Sequence, residues 1–241
     1  MTEALLSLAG VNTHIGQYHI LQGVDFEVPR AGLTMLLGRN GAGKTTALRT
    51  IMGLWRASAG TIRYDGAEIQ RRATPDLARL GVAYVPENMG IFAGLTVREN
   101  LLLAARSGPP DAKRLEWIFQ LFPAMQRFWN ALAGNLSGGQ KQMLAIARAI
   151  VEPRKLLLVD EPTKGLAPSI IANMIEAFRE LKRTETSLLV VEQNFHFARA
   201  LGDTVAVMDS GRIVHAGRMA DLAADGELQT RLLGLSLESH Q

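Results

Sequence analysis

Eight consecutive residues near the amino end of the 241-residue chain have the types and spacing of a phosphate-binding loop. Two glycines enclose four residues and are followed by Lys44 and Thr45, which is the P-loop pattern. Backbone N–H groups of such a loop can turn inward around phosphate oxygens, the lysine can reach the β- and γ-phosphates, and the threonine hydroxyl is a hard ligand for Mg²⁺. The predicted nucleotide-binding residues are Gly38, Arg39, Asn40, Gly41, Ala42, Gly43, Lys44, Thr45 and the adjacent Thr46.

Asp160 and Glu161 supply the carboxylates that a P-loop site needs. They follow the apolar run Leu156–Val159, which predicts a buried strand ending at these two acids. We expect Asp160 to lie beside the P-loop and to hold Mg²⁺ through a water molecule, and Glu161 to point towards the γ-phosphate as a general base or water-orienting group. Alone, an apolar strand ending in two acids is more often structural than catalytic. The upstream P-loop favours the catalytic interpretation.

The stretch Leu136–Gln140 reads LSGGQ and precedes a predicted helix. In the simpler interpretation, Ser137 is a helix N-cap, Gln140 completes a capping box, and the two glycines are spacers. Two glycines in a first helical turn cost about 1 kcal/mol each relative to alanine, however. They are easier to explain if a phosphate approaches the bare backbone at Gly138 and Gly139.

These candidate residues require a sheet that brings their loops together. Four continuous apolar runs predict strands covered on both faces, as in a parallel central sheet. Two turn signals, Asp65-Gly66 and Ser210-Gly211, predict hairpins. A short amphipathic helix is predicted at the carboxyl end, from Asp225 to Leu235. The four apolar runs are Leu33–Leu37, Val82–Val85, Leu156–Val159 and Leu188–Val191.

The middle of the chain, from about Thr96 to Val151, has helical patterns and no strand pattern. Thr96 and Glu99 form a capping box that opens a leucine-rich helix, and Pro109-Pro110 should end that helix. This block predicts a helical insertion between two strands, with a small core of its own. The residues predicted to form that core are Trp117, Phe119, Phe122, Phe128 and Trp129.

Composition argues against several classes of protein. The chain has 26 basic and 23 acidic residues, a formal net charge of +3 and no cysteine. Because basic and acidic residues are nearly equal in number, the composition does not suggest a dedicated binder of nucleic acid or anionic membranes. The lack of cysteine excludes a disulfide scaffold or a thiolate metal site. The apolar runs are far shorter than the roughly 20 residues of a transmembrane helix, and we expect no signal peptide. Any membrane role should therefore come through a partner.

The P-loop, the LSGGQ stretch and the strand ending in Asp160 and Glu161, in that order, resemble the nucleotide-binding subunit of an ATP-binding-cassette (ABC) transporter. The resemblance covers essentially the whole chain. It implies an α/β P-loop NTPase fold with two lobes: a RecA-like mixed sheet core with an antiparallel β subdomain, and an inserted α-helical subdomain. It also implies a Mg²⁺-dependent ATPase that works as a head-to-tail dimer, in which Ser137–Gln140 contact ATP bound to the partner's P-loop.

Departures from the usual motifs narrow the resemblance. Glu87 stands where the family has a glutamine that touches Mg²⁺, Gln193 replaces a switch histidine, and Pro162–Pro168 lacks a closing aspartate. The resemblance therefore implies Glu87 as a further metal ligand and Gln193 as a catalytic contact to the γ-phosphate. These variants resemble one ATP-binding subunit of branched-chain amino-acid importers, with a urea importer subunit as the nearest rival.

The position that stacks on adenine in this family is normally aromatic, and Ile15 occupies it here. Isoleucine offers a flat apolar contact in place of ring stacking. Tyr18 lies three residues on and is the alternative for the stacking role.

The implied organisation is a single ABC ATP-binding domain over residues 1–241. Residues 1–87 and 152–241 would form the catalytic lobe, and residues 88–151 the helical lobe. The implied partners are a second copy or a second ATP-binding subunit, two transmembrane permease subunits and, indirectly, a periplasmic solute-binding protein, with no nucleic acid. The chain would lie at the cytoplasmic face of the inner membrane, where the loop Glu87–Gly94 would contact the permease.

Other protein classes share parts of this pattern. A DNA-repair or chromosome ATPase needs a long coiled coil between the P-loop and LSGGQ, and the segment from Lys44 to Leu136 is too short for one. A translation-type ATPase carries two cassettes on one chain, whereas this chain has one. A nucleotide-binding module with an inactive P-loop is the non-enzyme alternative, and the presence of Glu161 argues against it.

Overall fold

The computed structural model describes residues 3–106 and 108–234, which form two sheets and a set of helices. Among those helices, none is long and apolar enough to cross a bilayer. The strands are β1 (Ala4–Ile15), β2 (Tyr18–Pro29), β3 (Leu33–Leu37), β4 (Ala57–Tyr64), β5 (Ala67–Glu68), β6 (Val82–Val85), β7 (Leu156–Asp160), β8 (Ser187–Glu192), β9 (Thr204–Asp209) and β10 (Arg212–Arg218). The α-helices are α1 (Lys44–Ile51), α2 (Thr74–Arg79), α3 (Val97–Ala104), α4 (Ala112–Leu121), α5 (Pro123–Arg127), α6 (Gly138–Ala149), α7 (Pro168–Lys182), α8 (Phe195–Leu201), α9 (Met219–Ala224) and α10 (Gly226–Leu233), and a 3-10 helix spans Ala133–Asn135.

The larger sheet has six strands in the order β10-β9-β3-β8-β7-β6. Neighbouring strands are parallel except for β9 and β10. Strands β3, β7 and β8 are buried along their whole length. Met35 and Leu36 of β3 belong to different hydrophobic clusters, one on each face of the sheet. The prediction of a parallel central sheet covered on both faces is confirmed.

The smaller sheet is antiparallel, with the strand order β2-β1-β4-β5. Along β2, Val24, Phe26 and Val28 are buried while the residues between them are exposed, so one face of this sheet covers the core. Asp65-Gly66 joins β4 to β5 and Ser210-Gly211 joins β9 to β10, with all four residues at positive φ. Both predicted hairpins are confirmed.

The carboxyl ends of the parallel strands meet at one edge of the larger sheet. Leu37 at the end of β3 is in register with Glu192 at the end of β8, and Asp160 at the end of β7 is in register with Val191. Strand β6 ends at the same edge beside β7. The loops that leave this edge carry the P-loop and both predicted carboxylates, so the topology itself brings them together.

Helices α3 to α6 lie between β6 and β7, which confirms the predicted helical insertion. The capping box at its start is present, because Thr96 Oγ1 accepts a hydrogen bond from the Glu99 N–H at 3.1 Å and Glu99 Oε2 accepts one from the Thr96 N–H at 2.7 Å. This box sets where the leucine-rich helix α3 begins.

Helix α3 ends at Ala104, so the prediction that Pro109-Pro110 would end it was wrong. Ala105 is already extended, and the N–H of Arg106 donates to Glu152 Oε1 at 2.6 Å instead of continuing the helix. A tertiary hydrogen bond therefore stops the helix before proline can.

The core of the insertion is only partly as predicted. Phe122 is buried together with Ile118 and Met125, whereas the other four predicted aromatic residues are partly buried around them. Phe119 and Trp129 meet edge to face, with ring centroids 5.3 Å apart. These residues belong to the same hydrophobic cluster as the central sheet, so the insertion has no core separate from it within the described residues.

Helix α10 begins after Asp225, whose Oδ1 accepts a hydrogen bond from the Leu228 N–H at 2.8 Å. The predicted helix at the carboxyl end is therefore confirmed up to Leu233, and Leu235 lies outside the described residues. Leu228 and Leu233 pack against the cluster on the central sheet, and Leu233 shares a small cavity with Arg39 of the P-loop.

Candidate nucleotide-binding site

The P-loop joins the end of β3 to the start of α1. Gly38 has φ 152°, and a Cβ at this position would lie 2.2 Å from the backbone oxygen of Met208, so no side chain fits here. The loop is also hydrogen-bonded to the β9–β10 hairpin, which is in turn hydrogen-bonded to β2. The N–H of Gly211 donates to Ala42 O at 2.9 Å, and the N–H of Gln22 donates to Gly211 O at 2.8 Å. The backbone of the loop is thus held at Ala42 by the turn between β9 and β10.

Lys44 is the first residue of α1 and only 4% of its side chain is exposed. Its Nζ donates to Gly38 O at 2.8 Å and to Arg39 O at 3.0 Å, and lies 3.6 Å from Glu161 Oε1. Burial lowers the pKa of Lys44, and the charge of Glu161 opposes that shift. A desolvated cation at the amino end of a helix is suited to binding phosphate oxygens.

Asp160 and Thr45 present oxygen atoms to the same point. Thr45 Oγ1 donates to Asp160 Oδ1 at 3.1 Å, and the Tyr84 hydroxyl donates to Oδ2 at 3.2 Å. Burial raises the pKa of Asp160, while these two hydrogen bonds oppose the rise. Octahedral Mg²⁺ with ligands at about 2.0–2.1 Å places neighbouring ligands about 2.9 Å apart. The hydroxyl and carboxylate oxygens therefore fit as ligands of this cation.

Glu161, Gln193 and Asn40 form one hydrogen-bonded group. Gln193 Nε2 donates to Glu161 Oε1 at 2.6 Å and to Asn40 Oδ1 at 2.7 Å. Gln193, which the resemblance places at a switch-histidine position, thus contacts both the predicted general base and the P-loop. The carboxylate of Glu161 is buried at this junction.

The backbone of Glu161 is in the left-handed conformation, with φ 48°. Such a conformation costs a non-glycine residue about 1–3 kcal/mol. The N–H of Glu161 donates to Val191 O at 3.0 Å, which fastens the turn to β8. The strained turn brings the Glu161 carboxylate beside Lys44.

Glu192 is a site residue that the sequence motifs did not single out. It is buried, and its carboxylate accepts hydrogen bonds from the N–H groups of Thr163 at 2.9 Å, Gln193 at 3.0 Å and Asn194 at 3.0 Å. Burial still raises the pKa of Glu192 against the effect of these bonds. Glu192 therefore fixes the Gln193 loop to the loop after β7. Its signal in the sequence is a charged residue that closes the buried run Leu188–Val191.

Glu87 pairs with Lys164 and not with the oxygens of Thr45 and Asp160. Lys164 Nζ lies 2.5 Å from Glu87 Oε1 and 3.4 Å from Glu161 Oε2. Sequence motifs did not single out Lys164, because it is 77 positions from Glu87 and follows no local pattern with it. Glu87 is 42% exposed, and its predicted role as a metal ligand stays a prediction.

Ile15 lies at the tip of the β1–β2 hairpin, directly across from Tyr18. Ile15 is partly buried, whereas Tyr18 is 66% exposed. Further along β2, the side chain of Leu21 lies close to the P-loop, 3.2 Å from where a Cβ on Gly43 would be. The hairpin therefore packs against the P-loop, and Ile15 and Tyr18 both stay candidates for contact with the base.

We expect Ile15→Tyr to bind ATP more tightly than the wild type, because stacking of a base on an aromatic ring is worth about 1–3 kcal/mol. The phosphate-binding loop does not read the base, so GTP should bind the wild type within a few-fold of ATP. Titration of ATP and GTP into the wild type, Ile15→Tyr and Tyr18→Ala tests this. A strong preference for ATP that only Tyr18→Ala loses would assign the stacking role to Tyr18.

The LSGGQ stretch opens α6 with a capping box. Ser137 Oγ accepts from the Gln140 N–H at 3.3 Å, and the Ser137 N–H donates to Gln140 Oε1 at 2.9 Å. A Cβ on Gly139 would lie 2.7 Å from Cγ2 of Ile170 in α7, so packing favours glycine here. A Cβ on Gly138 would meet nothing within 4 Å. The expectation that both glycines make room for phosphate stays a prediction, and Gly139 has a packing reason besides it.

The fold and this site define a P-loop nucleotide-binding protein, with a phosphate loop, two carboxylates and a glutamine at one edge of a mixed sheet. The family model described as ABC transporter matches residues 21–164, which is more than half of the chain. The chain belongs to the ABC transporter family and is an ATP-binding subunit of that family.

The chain is similar to ATP-binding proteins over nearly its whole length. The high-affinity branched-chain amino acid transport ATP-binding protein BraG of Pseudomonas aeruginosa is 38% identical over 95% of this chain and 100% of that protein. The probable branched-chain amino acid transport ATP-binding protein LivF of Archaeoglobus fulgidus is 32% identical over 96% and 99%. A solved ATP-binding subunit of an ABC transporter superposes with a TM-score of 0.79 at 28% identity, covering 97% of this chain and 96% of that one. The predicted fold class is confirmed.

Proposed function

We propose that this chain hydrolyses ATP with Mg²⁺ and thereby drives a membrane permease that imports branched-chain amino acids. The observation that supports it best is the 2.6 Å hydrogen bond between Gln193 and Glu161, because it holds a carboxylate within 3.6 Å of Lys44 Nζ. The names of BraG and LivF support the solute. A urea importer, or an importer of another amide or amino acid, is the alternative solute class. A buried carboxylate at this place argues against an inactive nucleotide-binding module.

Each side chain of the site has a definite task in this mechanism. Lys44 and the P-loop N–H groups would bind the β- and γ-phosphates, and Thr45 and Asp160 would hold the metal. Mg²⁺ supplies charge neutralisation on the phosphate oxygens when bound. Glu161 would orient the attacking water and accept its proton. Gln193 holds the Glu161 carboxylate, and it would donate to the γ-phosphate by giving up its hydrogen bond to Asn40, since both of its amide N–H groups are engaged.

We expect Gln193→Ala to lower ATPase activity, because the variant loses the hydrogen bonds to Glu161 and Asn40. Gln193→His should keep or raise the activity, since an imidazole can donate a hydrogen bond and can also carry positive charge. The measurement is kcat for MgATP hydrolysis by the three proteins. Equal rates in all three would place Gln193 outside the reacting site.

The dimer is the second part of the proposal. Ser137 and Gly138 are exposed at the start of α6, and the hydrogen bonds of Ser137 lie within its own capping box. These residues are therefore accessible to a nucleotide held by another subunit. That subunit would be a second copy of this chain or a different ATP-binding subunit.

The permease would dock where residues 88–151, as a helical lobe, meet residues 1–87 and 152–241, as a catalytic lobe. A cavity of about 640 Å³ lies there, lined by part of the loop Glu87–Gly94 and by Trp55. Phe92 of this loop is exposed beneath Arg148, whose guanidinium lies 4.9 Å from the ring centre. The permease segment should therefore carry acidic as well as apolar side chains. Bound to the permease, the chain would lie at the cytoplasmic face of the inner membrane. The arginines that line the cavity are Arg49, Arg106, Arg148 and Arg154.

Reconstitution of the chain with two permease subunits and a solute-binding protein tests the proposed function. ATP-dependent uptake of leucine that is lost with Glu161→Gln would support it. Uptake of urea in place of leucine would favour the alternative solute. Absence of MgATP hydrolysis by the wild type, alone and in the complex, would contradict the proposed ATPase.

A further inference from the structure

We propose that Lys164 restrains Glu161 and that Glu87 controls this restraint, an inference that rests on the proposed ATPase function. Lys164 lies in the turn between β7 and α7, where its N–H donates to the backbone oxygen of Glu161 at 3.2 Å. Its Nζ lies between two carboxylates, 2.5 Å from Glu87 Oε1 and 3.4 Å from Glu161 Oε2. Lys164 is therefore a positioning residue that joins two loops of the site.

Lys164 lies near Oε2 of Glu161, the carboxylate oxygen that is not hydrogen-bonded to Gln193. Glu161 Oε1 already accepts a hydrogen bond from Gln193 at 2.6 Å and faces Lys44 at 3.6 Å. A general base must present an oxygen to the attacking water at about 2.6–3.2 Å. Lys164 competes with that water for Oε2. Because the contact to Oε2 is loose, the restraint is partial.

Glu87 determines how closely Lys164 approaches Glu161. The contact of Lys164 with Glu87 is the shorter of the two, and it is the largest cause of the raised pKa of Lys164. Glu87 lies two residues after the end of β6, at the start of the segment that leads into the helices α3 to α6. A shift of this loop would therefore move the ammonium towards or away from Glu161 Oε2. A permease that contacts the loop Glu87–Gly94 would thus act on the proposed general base through Lys164.

Substitutions at the two ends of this contact should have opposite effects. Lys164→Met keeps the aliphatic stem but removes the ammonium, so kcat for MgATP should rise by about two- to fivefold, the range that an exposed ion pair produces. Glu87→Gln weakens the hold on Lys164, so the ammonium moves closer to Glu161 and kcat should fall by a similar factor. KM should change little in both, because the described contacts of the Lys164 ammonium are with these carboxylates and not with the P-loop.

The double variant separates this route from an effect of Glu87 on the metal. Without the ammonium, Glu87 has no cation to hold away from Glu161. The double variant of Lys164→Met with Glu87→Gln should therefore have the same kcat as Lys164→Met alone. If the double variant falls below Lys164→Met by the factor seen for Glu87→Gln, Glu87 acts through another group and the inference is wrong. Lys164→Arg keeps the charge and should stay near the wild-type rate.

Lys155→Met is the matched control. Lys155 is 59% exposed and lies 2.7 Å from Asp65, whereas Lys164 is 55% exposed, so the two substitutions remove ammonium groups of similar exposure. Lys155→Met should leave kcat unchanged.

Equal or same-direction changes in Lys164→Met and Glu87→Gln would overturn the inference while leaving the ATPase intact. No hydrolysis by the wild type would overturn the proposed function instead. Melting curves and ATP binding identify any misfolded variant, and Lys164→Gln then replaces Lys164→Met.

Discussion

Glu161→Gln is expected to bind MgATP nearly as the wild type does and to lose about 10²–10⁴ in kcat, the usual effect of removing a general base. Glutamine has the same shape and its Oε1 can still accept the hydrogen bond from Gln193, so the site should stay assembled. It cannot accept a proton from water. Steady-state kinetics, ATP titration and gel filtration with MgATP measure the three consequences, and the variant should elute as a trapped dimer.

Glu68→Gln is the control for the loss of a carboxylate. Glu68 lies in β5 at the edge of the antiparallel sheet, where it pairs with Arg63 on the surface. We expect this variant to turn over at the wild-type rate and to stay monomeric or dimeric as the wild type does. If Glu161→Gln behaves in the same way as Glu68→Gln, Glu161 is not the base.

Gly38→Ala is expected to destabilise the protein by at least about 2 kcal/mol, which for a chain of this size lowers Tm by at least about 4 °C. The added Cβ would lie 2.2 Å from a backbone oxygen of Met208, and a backbone atom cannot rotate away. Displacement of Gly38 also moves the carbonyl that holds Lys44, so nucleotide affinity should fall with stability. Thermal melting with and without MgATP measures both effects.

Gly66→Ala separates the clash from the cost of a positive φ. Gly66 has φ 80°, and a Cβ there would meet nothing within 4 Å. This variant should show only the backbone strain of about 1 kcal/mol and normal nucleotide binding. Similar losses of stability in both variants, with nucleotide affinity intact in Gly38→Ala, would show that Met208 accommodates the methyl group.

The sequence predicts most of the fold because its signals are local. Continuous apolar runs predict doubly covered strands, and the pair Asp65-Gly66 predicts a hairpin, since both patterns depend on neighbours along the chain. The end of α3 was predicted too late because the hydrogen bond from Arg106 to Glu152 spans 46 positions. The insertion's core was predicted too small for the same reason: its cluster is completed by the central sheet.

The candidate site shows the same division between local and distant contacts. The P-loop and the strand ending in Asp160 are contiguous patterns, and each predicts its own chemistry. The contact of Lys164 with Glu87 spans 77 positions and that of Glu192 with Thr163 spans 29, so no local spacing rule predicts these two contacts. Gly139 has a reason of each kind, because its motif predicts a ligand and the structure adds a packing reason in Ile170.

In the proposed mechanism, the left-handed backbone of Glu161 means that folding and turnover make opposite demands at this position. Glycine or asparagine would adopt this conformation at lower cost, yet neither carries a group that can act as a base. Selection for heat resistance alone would therefore favour replacing the glutamate, and only selection on the rate of transport would keep it. In a duplicated gene that is no longer under selection for the rate of transport, residue 161 would be among the first positions of the site to be substituted.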